Sequence, residues 1–260
     1  MFHLNTDIII KEAETLDFKH QKTISIDERR AKSTAWALTF ADVVTLLLTF
    51  FVLLLVMLSD AEKRLSTLVE NLLDETYEKM TSGLVYDNIS VERETKGIKI
   101  TITGNLFKST SAEIDTSYYS VLHQIGQLIA ESDLMNIHSE VKHRDLLKII
   151  DQHGVELNME IRCEGHTDDA KLPSSAKYPS NWELSAARSL NIVRLMNKHV
   201  GMPEKYFSAL GYGEHRPVID VSKISNFTEK QRARAMNRRV EIYLDAFLNE
   251  KTDLEVQYNI

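Results

Sequence analysis

The sequence predicts a layered α/β domain preceded by one transmembrane helix and an amphipathic linker helix. Three observations carry that prediction. Residues 36–58, WALTFADVVTLLLTFFVLLLVML, form a nearly unbroken apolar run. Residues 60–80 repeat apolar side chains at helical spacing, with Glu and Lys between them. Beyond Gly83, short β-rich runs alternate with longer amphipathic runs, the pattern of a mixed sheet with helices packed on it.

The chain has 260 residues, a formal charge of −7 and one cysteine. That length holds one domain of ordinary size plus accessory segments. The acidic balance argues against a nucleic-acid partner, which calls for a basic patch. Cys163 has no mate in the chain, so no intrachain disulfide is expected. The nine histidines are scattered without ligand spacing, and neither a metal site nor a cofactor is expected.

Residues 1–35 mix charges without a period and read as a cytoplasmic tail. No cleavable leader is expected, because the apolar run begins only after this polar stretch and is too long for a signal core. Arg29, Arg30 and Lys32 precede the run, and only Lys63 and Arg64 follow it closely. The positive-inside rule therefore places the N-terminus in the cytoplasm and everything beyond Leu58 outside.

At about 1.5 Å per residue, residues 36–58 cross a hydrocarbon layer of about 30 Å. Asp42 is the exception within it. An ionised carboxylate there costs about 2.5 kcal/mol or more and marks a functional position. Helical spacing puts Asp42, Thr45 and Thr49 on one face. A helix–helix contact would account for the threonines alone. An ion-carrying role accounts for the aspartate as well.

In residues 59–82, Leu65, Leu68, Val69, Leu72, Leu73, Thr76, Tyr77 and Met80 fall on one helical stripe. Two readings fit that stripe. One is a stalk that extends the span or pairs with a second copy. The other is an amphipathic segment lying against the membrane or a partner, where it occludes an ion path.

Residues 83–246 make the soluble domain. VYDNISVERET and GIKITIT read as two strands around a turn at Lys96–Gly97. Thr116 or Ser117 caps a helix running to Ser132. Residues 133–158 contain a further helical candidate that ends at Gly154. MEIRCEGHTDD reads as a buried strand entering a polar loop. Asn181 to Val200 is a helix closed by Gly201, Tyr206 to Leu210 a short strand, and Asn237 to Leu244 the last strand. Residues 247–260 are left as a tail.

Two resemblances now attach to these residues. TFADVVTLLLTFFVLLLVMLS resembles the single span of the MotB/PomB stator subunits of ion-driven motors. LFKSTSAEID, EGHTDD, NWELSAARSLNIV, ALGYGEHRP and MNRRVEI, in that order over residues 97–244, resemble the OmpA-like peptidoglycan-binding domain. The first resemblance implies that Asp42 receives and releases H+ or Na+, with Thr45 and Thr49 beside the path. It also implies a MotA-like multi-span partner around two copies of this chain, in the inner membrane, and no enzymatic activity.

The second resemblance implies that Asp168 and Arg188 grip the zwitterionic end of a diaminopimelate-type stem peptide. Opposite charges suit an ammonium and a carboxylate, and Arg can hold the latter bidentately. Asn181 would cap its helix or bond the ligand, Thr167 and Leu184 would shape the pocket, and Asn237 with Arg239 would complete it. Arg238 and Arg239, being adjacent on a strand, are expected on opposite faces, with one lining the site.

The chain departs from the family pattern at residues 133–158, which look inserted, and at Lys108, where some members carry an acid. Two other functions remain open: a MotB-like subunit of a non-flagellar motor, such as gliding or phage defence, and a passive wall anchor. Asp42 opposes the anchor, which gains nothing from a carboxylate in lipid.

Overall fold

A computed structural model describes residues 25–137, 139 and 143–251; most of the expected cytoplasmic tail and the last nine residues lie outside it. By packing, the chain divides into residues 1–61 and residues 62–260, each described by itself. Helix α1, Ile26–Gly83, contributes to both, so residues 26–35 of the expected tail are helical.

In the first unit, Thr34–Met57 has a mean hydropathy of 2.6, and none of it is buried within the chain. Leu46, Phe50, Phe51, Leu53 and Leu55 are all exposed. Apolar surface with nothing folded over it suits a lipid environment. The Thr45 hydroxyl donates to Asp42 O at 2.8 Å and that of Thr49 to Leu46 O at 2.9 Å, so both hydroxyl protons go to the helix's own carbonyls.

The second unit is built on a five-stranded sheet of order β1-β2-β5-β3-β4. Its strands are β1 (Ile89–Glu94), β2 (Gly97–Thr103), β3 (Val155–His166), β4 (Phe207–Gly211) and β5 (Arg239–Glu250). Only β3 and β4 run parallel. Period-two alternation puts Ile98, Ile100, Ile102, Ile161, Cys163, Val240, Ile242 and Leu244 on the buried face. Helices α2 (Tyr119–Ala130) and α4 (Asn181–Val200) cover that face with Leu122, Ile125, Ile129, Ile192 and Met196. Each such side chain, fully buried, stabilises the fold by about 1.5–3 kcal/mol.

Several boundaries differ from those the sequence predicted. The first turn is Thr95–Lys96. Asp115 caps a single 3-10 turn, Thr116–Tyr118, ahead of α2, and its side chain takes Ser117 N at 2.9 Å. Strand β3 begins at Val155, inside the supposed insertion, and β5 runs to Glu250, through residues taken for tail. Helix α5, Phe227–Asn237, was not foreseen.

The linker stripe has a packing surface that its periodicity did not name. Leu65, Val69, Leu72, Leu73, Thr76 and Met80 of α1 are buried in the domain's own core. Leu134, Ile137, Leu146 and Ile150 of the inserted stretch, the last two on α3 (Arg144–Gln152), join the same core. Lys79 Nζ meets the nearly buried Asp133 Oδ1 at 3.1 Å, and Arg93 Nε meets Asp74 Oδ1 at 2.7 Å. In this structure the apolar stripe packs within the chain's own domain.

Candidate functional site: a charged cavity at the sheet end

Strand register assembles the site. Arg239, the first residue of β5, pairs with Thr103 at the end of β2 and with His166 at the end of β3. The loop 167–171 therefore leaves the sheet beside the start of β5. Across it stands α4, capped by Ser180, whose hydroxyl accepts from Trp182 N and pairs with Glu183. Ser–x–x–Glu is a capping box, which fixes where the helix starts. Positions 181, 184 and 188 then share one face.

Two glycines let α4 press onto the strand ends. A Cβ at Gly165 would lie 2.2 Å from Ser185 O, and one at Gly211 would lie 2.3 Å from Ala186 N. No side chain fits there. The result is a cavity of about 480 Å³ whose walls include Phe107, Lys108, His166, Thr167, Asp168, Lys171, Asn181, Leu184, Arg188, Arg238 and Arg239.

Of the seven residues expected to bind ligand, six line this cavity: Thr167, Asp168, Asn181, Leu184, Arg188 and Arg239. Asn237 does not. It is buried, and its amide bonds both backbone groups of Ile219. Asn181 is the first helical residue and not the cap; its Nδ2 holds Asp168 O at 3.3 Å and Ala170 O at 3.0 Å. Both Arg238 and Arg239 line the cavity, because Arg238 closes α5 and precedes the strand, so strand alternation does not apply to it.

Asp168 and Arg188 are not bonded to each other. Asp168 Oδ2 accepts from Arg238 Nη1 at 2.7 Å, and Oδ1 accepts from Ala170 N at 3.1 Å. Arg188 is buried, donates to Ser111 O at 3.0 Å, and lies 4.9 Å over the Phe107 ring. Among the described residues, no carboxylate lies within ion-pair reach of it. Burial lowers its guanidinium to about 10, which the field of Asp168 only partly offsets. The buried Thr167 hydroxyl also has no partner among the described residues. An uncompensated buried cation and an idle hydroxyl in one cavity suit an anionic, hydrogen-bonding ligand.

Two further features carried no signal legible before the fold was known. Arg234, one turn before Arg238 on α5, grips Asp169 through two bonds of 2.7 and 3.0 Å. Beside the cavity, with His166 in its wall, Glu164, His166 and Glu241 bring possible metal-ligand atoms within 4.8 Å of one another. Those carboxylates already have cations: Arg162 pairs with Glu164, and Arg239 Nε with Glu241 at 2.6 Å. Glu241 also accepts from the Tyr243 hydroxyl at 2.9 Å. Burial opposes its charge, but His166, Arg239 and Tyr243 hold the carboxyl well below the usual range. With its charge balanced by arginines, the cluster reads as a polar brace beside the cavity.

Comparison with known proteins agrees with this architecture. Residues 19–75 match the MotB plug family, described as membrane MotB of the proton-channel complex MotA/MotB. Residues 137–233 match the OmpA family. Motility protein B of Bacillus subtilis (strain 168) is 28% identical over 244 residues, covering 81% of this chain and 90% of that protein. The uncharacterized protein YtxE of the same organism is 28% identical over 227 residues, covering 82% of this chain and 88% of that one. A solved structure from Desulfovibrio vulgaris described as MotB-like has a TM-score of 0.51 at 22% identity, covering 73% of this chain and 96% of that one. The periplasmic domain of Helicobacter pylori MotB (residues 90–256) has a TM-score of 0.44 at 20% identity, covering 65% and 85%. With one apolar helix long enough to span a bilayer, the chain is a membrane-anchored protein with a C-terminal OmpA-type domain.

Proposed function

We propose that this chain, a MotB-type protein by its plug segment and its OmpA-family domain, is the wall-anchored subunit of an ion-driven stator. The domain holds peptidoglycan outside the inner membrane while the span, beside a MotA-like multi-span partner and a second copy of this chain, carries H+ or Na+. Arg188 is the observation that supports wall binding most strongly: a buried guanidinium with only carbonyls for partners, on a cavity shared with Asp168. A stem-peptide carboxylate supplies the missing anion, and Thr167 has a hydroxyl to offer it.

Asp42 supports the motor reading. An ion arriving at Asp42 neutralises it and lowers the cost of facing lipid, so its favoured contact with the partner changes. Release on the other side restores the charge. This is binding and transport, with no catalytic step.

The test uses cells carrying the intact chain, Asp42→Asn or Arg188→Met, with swimming speed followed against external sodium at fixed pH. Asp42→Asn abolishes force without abolishing assembly, and the sodium dependence of the intact chain names the ion. In parallel, the purified full chain is sedimented with peptidoglycan sacculi. Arg188→Met stays in the supernatant, because losing one partner of a desolvated charge pair costs about 2–5 kcal/mol of binding. Swimming by the Asp42→Asn cells ends the motor reading, and sedimentation of Arg188→Met ends the wall-binding one.

A further inference from the structure

Both carboxylate oxygens of Asp168 already accept a bond in this structure. Arg238 takes Oδ2 at 2.7 Å and the Ala170 amide takes Oδ1 at 3.1 Å. A ligand ammonium that seeks Asp168 therefore competes with a guanidinium already seated there. Arg238 is placed to leave: its side chain is 35% exposed, and it caps the end of α5 in an extended conformation. The loop does not depend on it. Arg234 keeps Asp169 through two bonds, and Asn181 holds the Asp168 and Ala170 carbonyls.

The displaced Arg238 would then share a cavity with Arg188, a second guanidinium without a carboxylate. The two already repel, since Arg238 contributes to lowering Arg188. A ligand that brings only an ammonium strands both cations, and uncompensated charges beside a desolvated wall are costly. A ligand with an ammonium and a carboxylate on one carbon exchanges ion pairs instead. Its ammonium takes Asp168, and its carboxylate takes Arg188 and the released Arg238.

We propose that Arg238 is the specificity residue of this cavity, an internal cation that competes for Asp168 so that only a zwitterionic amino-acid end can replace it. The proposal rests on the wall-binding reading and adds to it a basis for choosing among stem peptides. Discrimination here works by what the wrong ligand leaves unpaired.

The experiment measures equilibrium binding of two tripeptides to the purified full chain in detergent micelles. One is L-Ala-γ-D-Glu-meso-diaminopimelate, which ends in a zwitterion. The other carries L-Lys at the third position and ends its side chain in an ammonium alone. The intact chain prefers the first by about tenfold or more. Arg238→Gln narrows that ratio, chiefly by gaining affinity for the lysine peptide. Arg238→Lys, which restores a competing cation, restores the preference and guards against a folding artefact. An unchanged ratio in Arg238→Gln, or equal weakening toward both peptides, overturns the role of Arg238. If the intact chain binds both peptides equally, the selectivity falls and wall binding stands. If it binds neither, the wall-binding reading falls and takes this proposal with it.

Discussion

Asn237 and Ile219 are joined as two strands would be: the amide Oδ1 accepts from Ile219 N at 2.9 Å, and Nδ2 donates to Ile219 O at 2.8 Å. The side chain pins the segment between β4 and α5 against the start of β5. Its place in the NRRV motif is structural, one step removed from the cavity that Arg238 and Arg239 line.

Asn237→Ala therefore lowers stability by about 2 kcal/mol, the cost of leaving buried backbone groups unpaired. For a domain of this size the melting temperature falls by about 4–8 °C, readable by circular dichroism. Sedimentation with peptidoglycan well below the melt is retained. Loss of sedimentation with an unchanged melt would instead make Asn237 a ligand contact.

The polar brace predicts an acid limb to stability. The Glu241 carboxyl lies below its ordinary 4.5 in the folded state. A carboxyl depressed by folding stabilises at pH above its unfolded value, and that contribution is lost as pH falls through and below it. Urea midpoints of the intact chain therefore drop between neutral pH and about pH 3.5. Glu241→Gln starts from a lower midpoint at neutral pH and loses less on acidification. Parallel pH curves for the two would show that the brace does not carry the effect.

The close approach of α4 predicts a position where one methyl group is not tolerated. Gly165→Ala sets a Cβ against Ser185 O, so helix or strand must shift, at a cost of about 1–3 kcal/mol or more. Because Leu184 and Arg188 ride on that helix, binding to peptidoglycan weakens along with the melt. An alanine variant with native melting and native sedimentation would mean that the contact yields without moving α4.

Much of the fold was legible because burial follows period. GIKITIT and the helix Asn181–Val200 were placed to the residue, since alternation in one and a capped apolar stripe in the other leave few alternatives. Helix α5 escaped because FTEKQRARAMN buries only Ala233 and Asn237 and so carries almost no stripe. In the linker the stripe was legible and the core it packs into was not: periodicity says which face is covered, not by what. The cavity illustrates the same limit. The resemblance to the OmpA-like domain picked six of its wall residues, but which cation sits on Asp168 is decided by where α5 ends, and no signal had marked α5.

The twelve-position register between β3 and β5, from Val155↔Glu250 to His166↔Arg239, has a mechanical side. His166 and Arg239 stand at one end of that ladder and in the cavity wall. β5 is paired on its other edge as well, with β2 from Gly97 to Thr103. A tug on whatever the cavity holds enters the protein at the tips of its two longest strands. It is then shared along whole ladders of hydrogen bonds, where a short edge strand would peel open one bond at a time. A tether meant to bear repeated load is well served by a grip at that end of the sheet.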